Sequence, residues 1–413
     1  MRNPSGKTGL WLVGAAGNVA ATVAVGLSAM RLKLTPPLGL ATESAPVDQL
    51  DLAPLDRIVL GGHEISSRTA FEAANELAER SGVFTAKMLR VVGPDLRRFD
   101  REIRTGRVVR SGSAIGRLAT RAGASRASSA RSIIDSLRAD LRSFATRNRL
   151  DRVVVVHVAS TEPPFPLKRV HSRWSSLNKA LSGVESPLPA SSLYAVAAIE
   201  EGMPFVGFTP SLGCDVPGII ELAAARGVGI IGSDGKTGET LLKSVLAPMF
   251  RDRHFEIASW VGHNILGNGD GAVLDSAANK ASKLRKKDSV IGSIVGGSPR
   301  TRTTIEYVES LHDWKTAWDH VHFRGFLGVK MILQFIWQGC DSILAAPLVI
   351  DLARLAEYHA RKGRAGIMAH LACFFKSPMG STEHDFSRQM HLLHDYVKAD
   401  LASKPRKAST KHR

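Results

Sequence analysis

Residues 10–30, LWLVGAAGNVAATVAVGLSAM, decide the fold. An apolar run leads into Gly14-Ala15-Ala16-Gly17-Asn18, and a second apolar run follows. Together they read as a buried strand, a glycine turn and an amphipathic helix. A secretory leader also combines a basic start with an apolar run. Here Gly14, Gly17 and Asn18 interrupt the run and no clear cleavage site follows, so strand–turn–helix is the better reading. No other segment holds about 18 consecutive uncharged apolar residues, so no membrane span is expected.

The same unit recurs downstream. RIVLGGHEIS (57–66) reads as a second strand that ends in a Gly-Gly turn, with Glu64 just after it. DRVVVVHVASTEPP (151–164) is a strand followed by a polar loop. Residues 191–211 read as helix then strand, and 219–250 as helix, strand, loop, helix. Strands alternating with helices imply a parallel, doubly wound sheet with ligands at the carboxyl ends of its strands. After about residue 250 the pattern changes to strands mixed with a loop and a helix, which reads as a second domain inserted into the first. A long helix is expected over 341–362, with Asp341 and Ser342 at its start, and a shorter one within 366–380.

At 413 residues and 44% apolar, the chain can bury a full core. Its three cysteines, Cys214, Cys340 and Cys373, form no CxxC pair, which fits a reducing, cytoplasmic setting. The net charge of +17 is concentrated between Arg97 and Arg152, a span with 15 arginines, and in the tail KPRKASTKHR. Two readings stand: a solvated helical insertion with a disordered tail, or a nonspecific nucleic-acid or polyanion surface. Only Phe99 and Phe144 are aromatic in the arginine-rich span, which weakens base stacking as its purpose.

Several stretches carry candidate chemistry. The glycines of the first turn suit either a pyrophosphate or an ordinary tight turn. Glu64 suits either a ribose diol or the solvent. GSDGKTGET (232–240) misses the P-loop spacing because Ile230 stands at its first glycine position. It still offers Thr237, Gly238 and Thr240 at a helix start, a setting for a single phosphate. Between Lys280 and Lys287 stand five cationic residues, of which Lys283 and Lys287 share a helix face. Lys315 and Lys376 lie among apolar or aromatic neighbours, as snorkelling side chains or as desolvated ammonium groups. The histidines are scattered, and no spacing argues for a transition-metal site.

The stretches VASTE, SSLYAVAAIEEGMPF, SDGKTGETLLKSVL, NILGNGDG…SKLRKKDSVI, YVESLHDWKTAWD and DSILAAPLVIDL together resemble the myo-inositol-1-phosphate synthase family. The resemblance runs discontinuously from Gly9 to about Pro378. It implies an α/β fold: a doubly wound, Rossmann-like NAD-binding domain with an inserted α+β domain for catalysis and oligomerisation. The first would comprise residues 1–241 and 345–413, including the arginine-rich segment 97–152 and a basic tail. Residues 242–344 would form the catalytic and tetramerisation domain.

Carried over position by position, the resemblance places Lys283, Lys287, Lys315 and Lys376 as active-site lysines. Asp234, Asn264, Asn268 and Asp270 match its other active-site positions, and Thr237 and Gly238 its phosphate loop. Gly14, Gly17, Asn18, Glu64, Ile65, Ala159 and Thr161 match dinucleotide contacts. Asp313, Asp341 and Ser342 match positions near the nicotinamide and substrate. The implied reaction is NAD-dependent and redox-neutral: C5 oxidation of glucose 6-phosphate, enolisation, aldol closure onto C1, and return of hydride. Lys376 and Lys283 would then serve the reacting oxygens, Lys315 proton transfer, and Lys287 the phosphate. A homotetramer is implied, and a monovalent or divalent cation near the phosphate stays open.

Four positions depart from the family pattern: Glu64 for aspartate, Ser160 for asparagine, Thr237 for serine and Glu239 for glutamine. A carboxylate at Glu239 opposes phosphate binding unless it pairs with a cation or points away. These departures leave open a related enzyme acting on another sugar phosphate.

Overall fold

The computed structural model describes residues 6–126, 128–268, 291–296 and 299–403. Its strands are β1 (Lys7–Val13), β2 (Ile58–Glu64), β3 (Ile103–Thr105), β4 (Leu150–His157), β5 (Phe205–Gly207), β6 (Gly229–Gly232), β7 (Glu256–Leu266), β8 (Arg300–Tyr307), β9 (Trp314–Arg324), β10 (Lys330–Cys340) and β11 (Gly366–Ile367). Seven of them form one sheet in the order β11-β6-β5-β4-β1-β2-β3. Every pairing in it is parallel. The chain winds outward from β1 to β3, then crosses back to β4 and winds the other way. Between β1 and β4 the loops therefore part, leaving a crevice at the carboxyl ends of the strands.

Burial on both faces explains the valine run of β4. Val153, Val154, Val155 and Val156 are all buried, as a strand between two helical layers requires. Each fully buried valine contributes about 1.5 kcal/mol or more over an exposed one. The helix Asn18–Arg31 departs from the amphipathic expectation, because Ala20 to Val25 are all buried. It packs against helices Ala70–Ser81 and Ala86–Arg101 and also against Asp341–Arg361, so no broad face is left for water.

Gly61 and Gly62 are not a turn but lie inside β2. A Cβ on Gly62 would meet Leu12 O at 2.3 Å, and one on Gly61 would meet the Phe144 ring at 2.6 Å. Close strand and ring packing thus accounts for both glycines.

The arginine-rich segment is part of the first sheet's architecture rather than an appendage to it. It supplies edge strand β3, and helix Ala130–Asn148 buries Ile134, Leu137, Leu141 and Phe144 in the core. Arg131 and Arg138 pair with Glu200, Arg138 and Arg142 with Glu201, and Arg147 with Glu102. These pairs engage four of the segment's fifteen arginines with three carboxylates.

The remaining strands form a four-stranded sheet, β10-β9-β7-β8, with β7 and β8 parallel and the other pairs antiparallel. It has its own core, which includes Phe250, Trp260, Ile294 and Val321. The connecting helices, Glu239–Asp252 and Asp341–Arg361, run unbroken through positions 242 and 344. The short helix expected within 366–380 is instead strand β11 followed by a 3₁₀ turn, Ala369–Phe374. Pairing of Gly366 and Ile367 with β6 wins over local helical preference there. A last helix, Phe386–Ala402, is begun by the Asp385 side chain, which accepts from Ser387 N and Arg388 N. The sequence reading had not anticipated it.

Candidate active site

A cleft of about 590 Å³ opens at the carboxyl ends of β1, β2, β4, β5 and β6, and the segments after β7 and β8 form its far wall. Gly14, Gly17, Asn18, Glu64, Ile65, Ala159, Thr161, Asp234, Thr237, Asn268, Asp313, Lys315, Asp341, Ser342 and Lys376 all line it. Gly238 and Asn264 are not in the wall among the described residues. Gly238 begins the next helix, and Asn264 is fully buried within β7, opposite Ala317. Asp270, Lys283 and Lys287 lie outside the described residues.

The glycine end is tightly organised. Gly14 has φ +94°, and a Cβ there would stand 2.7 Å from Ala159 Cα, so only glycine lets the two loops meet. Gly17 caps the following helix with no side-chain hydrogen bond and no acid in the first turn. The helix amides are thus left for an anion, and the residues present fit a dinucleotide's pyrophosphate. Glu64 is nearly buried. One oxygen accepts from Ala16 N at 2.8 Å, and the other from Ile65 N at 2.8 Å and Ser66 N at 2.9 Å. Three of about four lone-pair positions are therefore spent on backbone, so this acid chiefly shapes the turn.

Asp313 ties this end to the second sheet. Its carboxylate accepts from Asn18 Nδ2 (3.0 Å), Ser342 N (2.9 Å), Ser342 Oγ (3.0 Å) and Cys340 Sγ (2.8 Å). Burial pushes its carboxyl up, against the pull of these donors. Asn18 also accepts from Arg68, which pairs with Glu76. Asp341 bridges the Thr237 loop and the segment after β7, through Thr237 Oγ1 (3.4 Å) and Asn268 Nδ2 (3.0 Å).

The other end carries the lysines. Asp234, at φ +64°, and Lys376 face each other across the Gly235–Phe375 bridge. Lys376 Nζ donates to Asp234 Oδ1 at 2.8 Å, and its amide to Asp234 O at 2.7 Å. One of three ammonium donors is thereby fixed and the others are left for a ligand. Lys315, at the start of β9, is held by pairing with Leu266 on one side and Gly339 on the other. Glu239 resolves the doubt raised by its charge. It is buried, and Lys243 Nζ pairs with its Oε1 at 2.6 Å and with Asp319 at 3.6 Å.

Sequence reasoning missed several cleft residues. Arg68 and Arg107 had no motif to announce them. The floor includes His157, which burial pushes down to about 4, and Glu162, which burial pushes up. Glu162 accepts from Ser111 Oγ, Ser191 N and Ser191 Oγ, pinning the arginine-rich loop to helix Ala190–Glu200. It lies inside the VASTE stretch, so its place beside Thr161 was the available signal.

A family model described as myo-inositol-1-phosphate synthase matches residues 8–398. Inositol-3-phosphate synthase 1 of Bacteroides thetaiotaomicron is 35% identical over 408 residues, covering 93% of this chain and 91% of the relative. The Brassica napus inositol-3-phosphate synthase is 34% identical over a shorter match, 55% of this chain and 46% of that relative. Among solved structures, inositol-3-phosphate synthase of Caenorhabditis elegans superposes with a TM-score of 0.84 at 26% identity, covering 95% of this chain and 86% of that one.

Proposed function

The chain belongs to the myo-inositol-1-phosphate synthase family and is an isomerase with inositol-3-phosphate synthase activity, and from this premise we propose how its residues divide the work. The substrate is glucose 6-phosphate and the cofactor NAD. The observation that carries the reading is one cleft uniting the glycine turn, the Thr237 loop, Lys315 and Lys376.

The amides around Gly14 to Asn18 hold the pyrophosphate, and Asp313 and Ser342 fix the turn against the second sheet. NAD, when bound, accepts hydride from the sugar and later returns it. Thr237 and the following helix start hold the sugar phosphate, with Lys287 completing that contact. Lys376, oriented by Asp234, donates to a sugar oxygen that gains negative charge, and Lys283 serves beside it. A fixed donor of this kind is worth about 3–4 kcal/mol in a water-poor site. Lys315 exchanges the C6 proton from a rigid strand. Asn264 supports the strand behind the far wall, and Asp270 keeps the active-site role that the family pattern implies. Among the described residues no group of three or more His, Cys, Asp and Glu is placed to hold a metal ion.

We also propose a homotetramer built through the four-stranded sheet. Its edge strand β10 exposes Ile332 (60%) and Ile336 (69%), an unblunted apolar edge. Light scattering of the purified protein tests this, and a monomer would overturn it. A cytoplasmic location is supported by three free, buried cysteines. Among the described residues no helix is long and apolar enough to cross a membrane.

Incubation with glucose 6-phosphate and NAD⁺, followed by product analysis, tests the activity. Inositol monophosphate without net NADH is expected. Bound NAD with no cyclic product would redirect the search to other sugar phosphates.

A further inference from the structure

Two buried lysines flank the start of one helix and are answered differently. Lys243 has Glu239 at 2.6 Å and Asp319 at 3.6 Å, and Trp260 donates to Asp319 at 2.7 Å. That group balances much of its own charge. Lys236 has no such arrangement. It is only 4% exposed and lies between Gly235, whose backbone bridges Phe375, and Thr237, which lines the cleft.

Its amide donates to Phe374 O at 2.9 Å, fastening the loop, while its side chain runs behind the loop, away from the cleft. There the ammonium donates to Gln389 Oε1 and lies 5.7 Å from the centre of the Phe386 ring. Gln389 is fully buried and donates onward to Glu383 O at 2.6 Å. The ionisable groups facing Lys236 are Cys373, Lys376 and His384. Burial pushes the Cys373 thiol up to about 12 and the His384 ring down, so at neutral pH both are uncharged and Lys376 is a like charge.

Among the described residues, then, no carboxylate pairs with this ammonium. A buried charge without a counterion is costly, and an apolar side chain of similar length would fill the space better. The cost is recovered only if an anion arrives nearby. The place for it is the cleft side of the same loop. There Thr237 and the start of helix Glu239–Asp252 stand, and Lys243 draws the Glu239 carboxylate aside.

We propose that Lys236 is a positioning residue for the substrate's phosphate dianion: its uncompensated ammonium, held behind loop 233–238, gives the cleft side of that loop its preference for a doubly charged group. This rests on the reading of that loop as the sugar-phosphate site. The charge acts through the loop, not by contact, so it strengthens binding and leaves the reacting carbons to other lysines.

Gln389→Glu supplies the decisive test, because it hands Lys236 a carboxylate in nearly unchanged space. The expected result is a KM for glucose 6-phosphate raised about tenfold, with kcat within twofold and unchanged NAD binding; the melting temperature decides nothing, because the new ion pair is set against the lost donation from residue 389 to Glu383 O. Inorganic phosphate, measured by calorimetry, should lose affinity in parallel. Lys236→Met should raise KM similarly, and Lys236→Arg should restore most of the affinity. Burial pushes Lys236 down to about 8, so wild-type KM should climb as pH rises past 8 and the ammonium is lost. The Lys236→Met variant should lack that step.

If Gln389→Glu keeps the wild-type KM and phosphate affinity, the proposal is overturned, whatever the fate of Lys236→Met. A purely structural lysine would predict that result, since the altered pairing would then change stability alone. Wild-type protein that neither cyclises glucose 6-phosphate nor binds inorganic phosphate would instead overturn the reading of the loop itself.

Discussion

The two ends of the cleft handle charge in opposite ways. At the glycine end the buried acids are largely taken up: Glu64 by three backbone amides, and Asp313 by four donors. At the lysine end, among the described residues, the balance is left positive: Asp234 pairs with Lys376, and no described carboxylate pairs with Lys315 or the hidden Lys236. A dinucleotide arrives and leaves with much the same shape, so a rigid, satisfied scaffold suits it. The sugar changes charge during its reaction, and an environment with cations to spare can follow that change.

Substitutions can break this contrast. The largest effect should come from Lys376→Ala, with kcat reduced about a thousandfold while NAD binding, followed by fluorescence, stays near wild type. Retained turnover would remove Lys376 from the reacting oxygens. Asp313→Ala should act on stability first, because it strands the donors of Asn18, Ser342 and Cys340. A loss of about 3 kcal/mol in urea unfolding is expected, along with weaker NAD binding. A stable variant with only kcat impaired would place Asp313 with the chemistry instead.

Acid should reveal the glycine end's buried floor. His157 has its pKa lowered in the folded protein, so folding excludes a proton that the unfolded chain accepts below about 6.5. Its contribution is intact above that pH and is lost as the pH falls to about 4. His157→Gln should therefore flatten the decline of stability between pH 6.5 and 4 by roughly 2–3 kcal/mol. An unchanged slope would mean that the ring is not buried neutral. The smallest effect is expected at Arg68, which is partly exposed and touches Asn18 at 3.3 Å. Arg68→Gln should weaken NAD binding about threefold, as befits one rim contact.

Much of this was legible in the chain itself. Period and punctuation gave the strand, turn and helix of residues 10–30 and the valine strand β4, because both faces of a parallel sheet demand continuous apolar runs. The motif blocks brought fifteen of the expected site residues into one cleft. What escaped were features decided by distant partners. Gly61 and Gly62 look like a turn until Leu12 and Phe144 crowd them. The short β11 reads as helix until β6 is beside it. Glu239 looked hostile to phosphate until Lys243 and the second sheet closed over it. Lys236 was visible in a failed P-loop pattern, but nothing local tells whether a lysine faces a ligand or hides behind one.

Strand β11 carries one more consequence. It joins the first sheet only after the chain has left to build the whole second sheet, and Lys376 follows it beyond the 3₁₀ turn Ala369–Phe374. During synthesis the dinucleotide turn emerges early and this lysine late. A growing chain can thus complete six parallel strands before Lys376 exists. Closing the long excursion from β6 to β11 is a non-local step, and such steps are slow. Recovery of turnover after dilution from denaturant should accordingly lag behind recovery of helical signal, with the interval set by the docking of β11.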